Sequence, residues 1–280
     1  MAAEQKQTNK NGKLIAVCSG KGGSGRTALS VNLAAAIVKK NKNVALVDAD
    51  LQFGDISLAM DLQAGITIKD AAEEAERLDA IGMESYLTGH ESGVKVLPAP
   101  ERPEYADLVT NEKLGRILEL LLEQFDYVVA DTEVGLTERS VHLFEQADEI
   151  LLLTNLEMAA LKNTKRMLET LETLGLREKI RLVINRADME SVIKGEDVPG
   201  IIGMEDPIYI PNDFQIVSRS INIGVPFVVN NGKSNVARAV FKMAETVASG
   251  TAAPLRPKKN SFLSKLIPRS SRSTGYSGTR

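Results

Sequence analysis

The sequence has one cysteine, Cys18, and two histidines, His90 and His142. A single cysteine excludes an internal disulfide framework, and two histidines without cysteine partners leave no zinc-ligand pattern. Cys18 lies inside the apolar run LIAVCS, where a buried strand residue is expected. No 18 consecutive apolar residues occur, so no segment reads as a membrane-spanning helix. The opening stretch MAAEQKQTNKNGK is polar and lacks the apolar centre of a secretory signal, and a cytoplasmic protein is expected. Acid is missing from residues 254–280, which carry seven basic side chains. With a total charge of −3, the rest of the chain sums to about −10. So acidic a body argues against broad nucleic-acid binding.

What is present is ordinary for a soluble globular chain: 43% hydrophobic and 25% charged residues over 280 positions, enough to bury a sizeable core. Apolar runs at 13–19, 43–50, 94–99, 126–132, 149–155, 180–185 and 207–211 read as strands. They lack polar alternation, which implies burial on both faces. Helical patterns fall between them at 27–39, 111–124, 137–146 and 157–174, with a closing helix at 234–248. In the stretch 157–174, Leu161, Met167, Leu168, Leu171 and Leu174 share or adjoin one face. The expected fold is α/β: a doubly wound, mostly parallel sheet flanked by helices and joined by right-handed crossovers. Residues 1–12 read as a flexible N-terminus, 13–249 as the folded domain, and 250–280 as a mobile basic tail.

At the end of the first strand stands CSGKGGSGRTALS, residues 18–30. Gly20, Gly22, Gly23 and Gly25, together with Ser24, turn a row of backbone N–H groups and a helix N-terminus toward a phosphate. Each of the four glycines is expected to permit a backbone angle or a close approach that a side chain would block. Thr27 then carries a hydroxyl placed for magnesium. Arg26 stands where the phosphate-loop pattern has lysine. It keeps the charge, but a planar fork replaces a compact ammonium. The next strand closes on Asp48 and Asp50, two residues apart and expected on one face; one could support magnesium through water and the other orient an attacking water. The strand DYVVADT closes on Asp131, a magnesium acid of the Walker-B kind, followed by Thr132 and Gly135. All these groups fall at strand carboxyl ends, where doubly wound sheets bind ligands.

Taken together, these residues resemble the MinD/ParA family of deviant-Walker ATPases, whose loop K-G-G-x-G-K-T is matched by KGGSGRT. The resemblance spans nearly all of residues 13–248. The phrases DADLQFGDISLAMDL, VLPAPERPEYADLVT and the long stretch from DYVVADT through ETLETLG resemble the CpaE/TadZ branch, which serves assembly and polar placement of Flp/Tad-type pili. The resemblance implies magnesium-ATP held by the loop from Gly20 through Gly22, Gly23, Ser24, Gly25, Arg26 and Thr27 to Ala28. It makes Lys21 the signature lysine reaching a partner's nucleotide across a homodimer, and puts Arg26 at the Walker lysine position. Thr27, Asp48 and Asp131 would serve the metal, and Asp50 the attacking water. Asn185, Pro211 and Asp213 would frame adenine. Two departures are Arg26 and Glu133, the latter where the family commonly has proline. Only about a dozen residues precede the first strand, too few for the N-terminal receiver-like domain that many CpaE/TadZ proteins carry.

In the tail, Phe262, Leu263, Leu266 and Ile267 share one helical face beside lysines, so residues 256–269 could lie on an anionic membrane surface at the inner face of the cell membrane. The alternative is a solvated tail. The preferred reading is an ATP-dependent dimer switch with pilus-assembly or polar-localisation partners and slow or lost hydrolysis. Its rivals are a pseudo-ATPase scaffold and a MinD-like positioning ATPase unrelated to pili. A bacterial tyrosine kinase would need a tyrosine cluster in the tail, and only Tyr276 is there.

Overall fold

Eight strands form one sheet: β1 (Lys13–Ser19), β2 (Val44–Ala49), β3 (Thr88–Gly89), β4 (Lys95–Leu97), β5 (Tyr127–Thr132), β6 (Glu149–Thr154), β7 (Ile180–Asn185) and β8 (Ile208–Ile210). Their spatial order is β3-β4-β2-β5-β1-β6-β7-β8, parallel throughout except for the antiparallel pair β3/β4. The structure is a computed structural model and describes residues 12–63 and 65–249. The expected flexible N-terminus, up to residue 11, and the tail from residue 250, with its apolar face at 262–267, lie outside the described residues.

Because side chains alternate along a strand, the sheet feeds two separate cores. In β1, Leu14, Ala16 and Cys18 face one and Ile15 and Val17 the other. The first core is closed by the helices Asn111–Gln124, Glu138–Gln146 and Met158–Thr173, through side chains such as Leu118, Phe144 and Leu168. Arg26–Val38 and Asn235–Ser249 close the second, through Leu33, Ile37 and Val240. Each fully buried aliphatic side chain contributes about 1.5–3 kcal/mol.

Right-handed crossovers explain this partition. The chain leaves β1 for β2 in one direction along the sheet, so helix Arg26–Val38 covers one face. It passes from β5 to β6 in the opposite direction, so helix Glu138–Gln146 covers the other. The reversal happens beside β1, and the loop after β1 opens at the switch point where doubly wound sheets hold ligands.

All seven expected strands and all five expected helices occur. The second strand closes at Ala49 rather than at residue 50, so Asp50 begins the following loop instead of sharing a strand face with Asp48. Leu174, expected on the buried face of its helix, follows the last turn and is 45% exposed. Not expected were the two-residue strand β3 and the short helices Ile56–Ala59, Ile68–Glu74, Ala80–Glu84, Val198–Ile202, Phe214–Asn222 and Phe227–Asn230. Among the described residues, no helix is long and apolar enough to cross a membrane.

Candidate functional site: a phosphate loop opening onto a cleft

Gly25 starts helix Arg26–Val38 at φ 90°, a left-handed conformation that glycine adopts without strain. A Cβ at that position would also stand 2.4 Å from Asn185 Nδ2. The close approach is used: Asn185 Nδ2 donates to the Ser24 carbonyl at 2.8 Å. From the other side Asn163 Nδ2 donates to the Gly20 carbonyl at 3.0 Å, and the Ser19 and Ser24 hydroxyls both donate to the Lys21 carbonyl. The carbonyls of Gly20, Lys21 and Ser24 are thereby taken up by side chains, and the N–H groups of such a loop are what a phosphate cradle uses.

The four loop glycines are not equivalent. Close packing falls on the two ends of the loop: a Cβ on Gly20 would stand 2.9 Å from the Asn163 backbone, much as one on Gly25 would meet Asn185. Gly22 and Gly23 form the exposed tip between these anchored ends, and neither lines the cleft beside Gly25 and Ala28. A Cβ on Gly22 would meet nothing nearer than Val134 Cγ2 at 3.9 Å, and one on Gly23 nothing within 4 Å. Gly23 still calls for glycine through its φ of 74°. Gly22 has neither a positive φ nor a crowded Cβ, so nothing within this chain requires glycine there. What these two residues offer a ligand is backbone N–H at the rim, not a wall of the cleft.

At the head of the helix, Thr27 Oγ1 donates to Asp131 Oδ2 at 2.7 Å and Ser30 Oγ donates to Oδ1 at 3.0 Å. Asp131 is the penultimate residue of β5 and is 1% exposed. Burial pushes its carboxyl up to about 6, against the pull of Arg26 and of the two hydroxyls. Ser30 was not anticipated. It lies three residues after Thr27, on the same helix face, and that spacing was the available signal.

Asp48 pairs in register with Asp131 across β2 and β5. Its Oδ2 accepts from the Ile56 amide at 3.0 Å and its Oδ1 from the Asp50 amide at 3.3 Å. A Cβ on Gly54 would overlap this carboxylate at 2.4 Å. Burial and the neighbouring Asp131 push the Asp48 carboxyl far above the ordinary range. These amide contacts clamp the loop 50–56 to the sheet.

Asp50 faces Arg26, with Nη2 and Oδ2 3.4 Å apart, while Arg26 Nη1 is buried without a hydrogen-bond partner. Lys21 donates to the carboxylate of Glu157 in its own chain, and that hydrogen bond and charge hold the Glu157 carboxyl below its usual range. No local pattern points to Glu157, which lies 136 positions away. Glu133 turns toward the head of helix Glu138–Gln146. It accepts from the Thr137 hydroxyl, with Arg139 Nη1 at 4.0 Å.

Beside Gly25 and Ala28 opens a cleft of about 210 Å³, walled by Asn185, Arg186, Pro211 to Phe214 and the inner side of helix Phe214–Asn222. Two residues expected to frame adenine, Asn185 and Asp213, line the cleft and also carry structural hydrogen bonds. Besides bracing Ser24, Asn185 accepts from the Arg186 amide at 3.0 Å, so its amide group is engaged at both ends. Asp213 caps the helix by accepting from Ile216 N at 3.1 Å. Pro211 lines the cleft as expected. Arg186, Asn212 and Phe214 line it and were missed, because the helix that carries Phe214 was not foreseen.

The residues fit a phosphate ligand with magnesium. The loop has an N–H row, a buried orphan guanidinium nitrogen, and a threonine hydroxyl on a carboxylate. No group of three or more His, Cys, Asp or Glu among the described residues converges on a metal position. So few protein ligands suit a magnesium site completed by phosphate oxygens and water.

A doubly wound sheet with this loop at its switch point defines a P-loop nucleotide-binding protein. Residues 12–184 match the AAA domain family. The chain is 31% identical to an uncharacterised ATP-binding protein of Methanocaldococcus jannaschii, over 90% of this chain and 94% of that one. It is 28% identical to the septum site-determining protein MinD of Thermotoga maritima, over 87% and 90%. MinD of Pyrococcus horikoshii, solved in complex with Mg-ADP, superposes with a TM-score of 0.73 at 27% identity, covering 86% of this chain and 98% of that one. The chain belongs to the MinD/ParA family of P-loop ATPases.

Proposed function

We propose that this chain binds magnesium-ATP in the loop Gly20–Ala28 and uses the bound nucleotide to control association of two copies. The observation that carries this reading is the continuity between the phosphate loop and the cleft: Gly25 and Ala28 line both, so a phosphate chain and an attached base have one path. Magnesium, when bound, neutralises charge on the phosphate oxygens. Thr27 and Asp131 would hold it, and the backbone N–H groups and Arg26 would bind the phosphates, those of Gly22 and Gly23 from the open rim. Asp50 would orient water, and Lys21, exposed at the rim on Glu157, would transfer to the nucleotide of a second copy. Val134 and Met158 expose apolar surface on this rim, at 43% and 65%, which suits a face covered by a second copy.

The resemblance to the CpaE/TadZ branch supports pilus-assembly or polar-localisation partners, with the chain cytoplasmic and its residues 256–269 on the membrane surface. The structural place of the branch-specific phrases supports this reading. QFGD forms the loop at Asp50, with Phe53 73% exposed, and Ala106 in ADLVT accepts from Arg139 Nη2 at 3.2 Å, next to the Glu133 loop. A second reading, a scaffold without nucleotide turnover, is favoured by the engagement of Arg26 with Asp50.

Calorimetry with magnesium-ATP, with phosphate release followed on the same samples, tests the proposal. Binding with slow release in the wild type, and faster release in Arg26→Lys, is the expected result. No binding at millimolar nucleotide overturns it in favour of the scaffold. Sedimentation with and without a non-hydrolysable ATP analogue tests the association.

A further inference from the structure

We infer that Asp50 is an internal stand-in for phosphate, holding the Arg26 guanidinium until a phosphate group displaces it and releases the loop 50–55. The inference rests on the nucleotide reading above and adds to it a competition built from this chain's own residues.

Three acids lie at the strand ends beside the loop: Asp48 pairs in register with Asp131, and Asp50 contacts Arg26 Nη2. Two of them cannot leave. Asp131 lies in β5, 1% exposed, with both oxygens taken by the hydroxyls of Thr27 and Ser30. Asp48 lies in β2, equally buried, with both oxygens on loop amides. Asp50 alone stands beyond a strand end. Its protein contacts are weak: 3.4 Å from Arg26 Nη2, and 3.3 Å from the Phe53 amide to Oδ1. A well-formed guanidinium–carboxylate contact is about 2.7–2.9 Å, so this pair is loose.

Arg26 is poorly satisfied in turn. Its side chain is 11% exposed, and Nη1 is buried without an acceptor. Such a donor costs about 1–3 kcal/mol until an acceptor arrives. A phosphate in the adjoining cradle brings several charged oxygens. It also brings negative charge close to Asp50, and like charges this near repel in a partly buried site. Of the three acids, the one in the connecting loop gives way. Its departure removes the acceptor from Phe53 N and lets the exposed Phe53 ring move. Asp48, still bound to Ile56 N and packed on Gly54, is the pivot. Phosphate occupancy is thereby converted into a change of surface at residues 50–55.

Hydrogen exchange of the full chain with and without ADP in EDTA, so that no metal intervenes, tests this. Protection of residues 20–27 reports ligand in the loop. The expected result is that protection together with faster exchange in 50–55. In Asp50→Asn, exchange in 50–55 is already fast without ADP and does not change on adding it, and ADP binds about fivefold tighter, the scale of a loose ion pair. Protection of 20–27 with unchanged or slower exchange in 50–55 overturns the competition and leaves the nucleotide site standing. If 20–27 gain no protection with ADP in EDTA but do so with magnesium-ATP, this inference fails and the nucleotide reading stands; no protection with either overturns both.

Discussion

The loop after β2 and the end of β5 each present an aspartate to the same cradle, and the two are held in opposite ways. Asp131 is sealed into the sheet by two hydroxyl donors at 2.7 and 3.0 Å. Asp50 is held by contacts of 3.3 and 3.4 Å in a connecting loop. Residue type is the same and the charge is the same. Burial and the number of donors decide which acid is architecture and which can move.

The comparison is sharpened most by pH. The folded protein keeps a proton on Asp131 up to about 6, whereas the unfolded chain releases it near 3.8. Between those values folding takes up a proton, so stability is greatest at the acidic end and falls as pH rises, by about 3 kcal/mol at most for this group. Urea unfolding from pH 4 to 7 is expected to show that fall in the wild type and a flatter profile in Asp131→Asn. An identical slope in both would place the pinned acid in a far more hydrated setting than its burial indicates.

Next in size is Ser30→Ala, which leaves one oxygen of a buried carboxylate without its donor and costs about 1–3 kcal/mol in the same assay near neutral pH. Asp50→Asn is expected to change stability by less than about 1 kcal/mol, because it removes only loose contacts. If it destabilises as much as Ser30→Ala, the contrast between the two acids is broken. The smallest effect belongs to the rim. Glu157→Gln is expected to leave the thermal midpoint within measurement error, because its partner Lys21 is itself well exposed, and any phenotype should appear only in association of copies.

The centre of this arrangement was legible in the sequence because its signals are local and periodic. Uninterrupted apolar runs at β1, β2, β5, β6 and β7 announced strands buried on both faces, and the glycine spacing announced the loop. The same spacing could not rank its glycines: crowding at Gly20 and Gly25 comes from Asn163 and Asn185, far along the chain, while Gly22 and Gly23 stay open. Helix Asn111–Gln124 was bounded correctly, with Thr110 Oγ1 accepting from Lys113 N at its head. The short helices were not legible, since four to nine residues offer too few turns for a period to show. One of them carried a missed cap: Thr67 and Asp70 form a reciprocal box at the head of Ile68–Glu74, with aspartate where glutamate or glutamine is usual. The bracing role of Asn185 was illegible for a different reason. Its partner, the Ser24 carbonyl, is 161 positions away, and pattern at one locus says nothing about such a contact.

The two ends of the sheet bear on how copies of this chain can meet. One edge is the two-residue β3, turned antiparallel to its neighbour, and the other is the three-residue β8. Strands so short offer little template for a foreign strand, and natural sheets use such edges to avoid stacking side by side into ribbons. Growth by sheet extension is therefore discouraged at both ends. The pairing proposed at the loop-bearing rim would instead be a closed, two-fold contact, which does not propagate as a fibre.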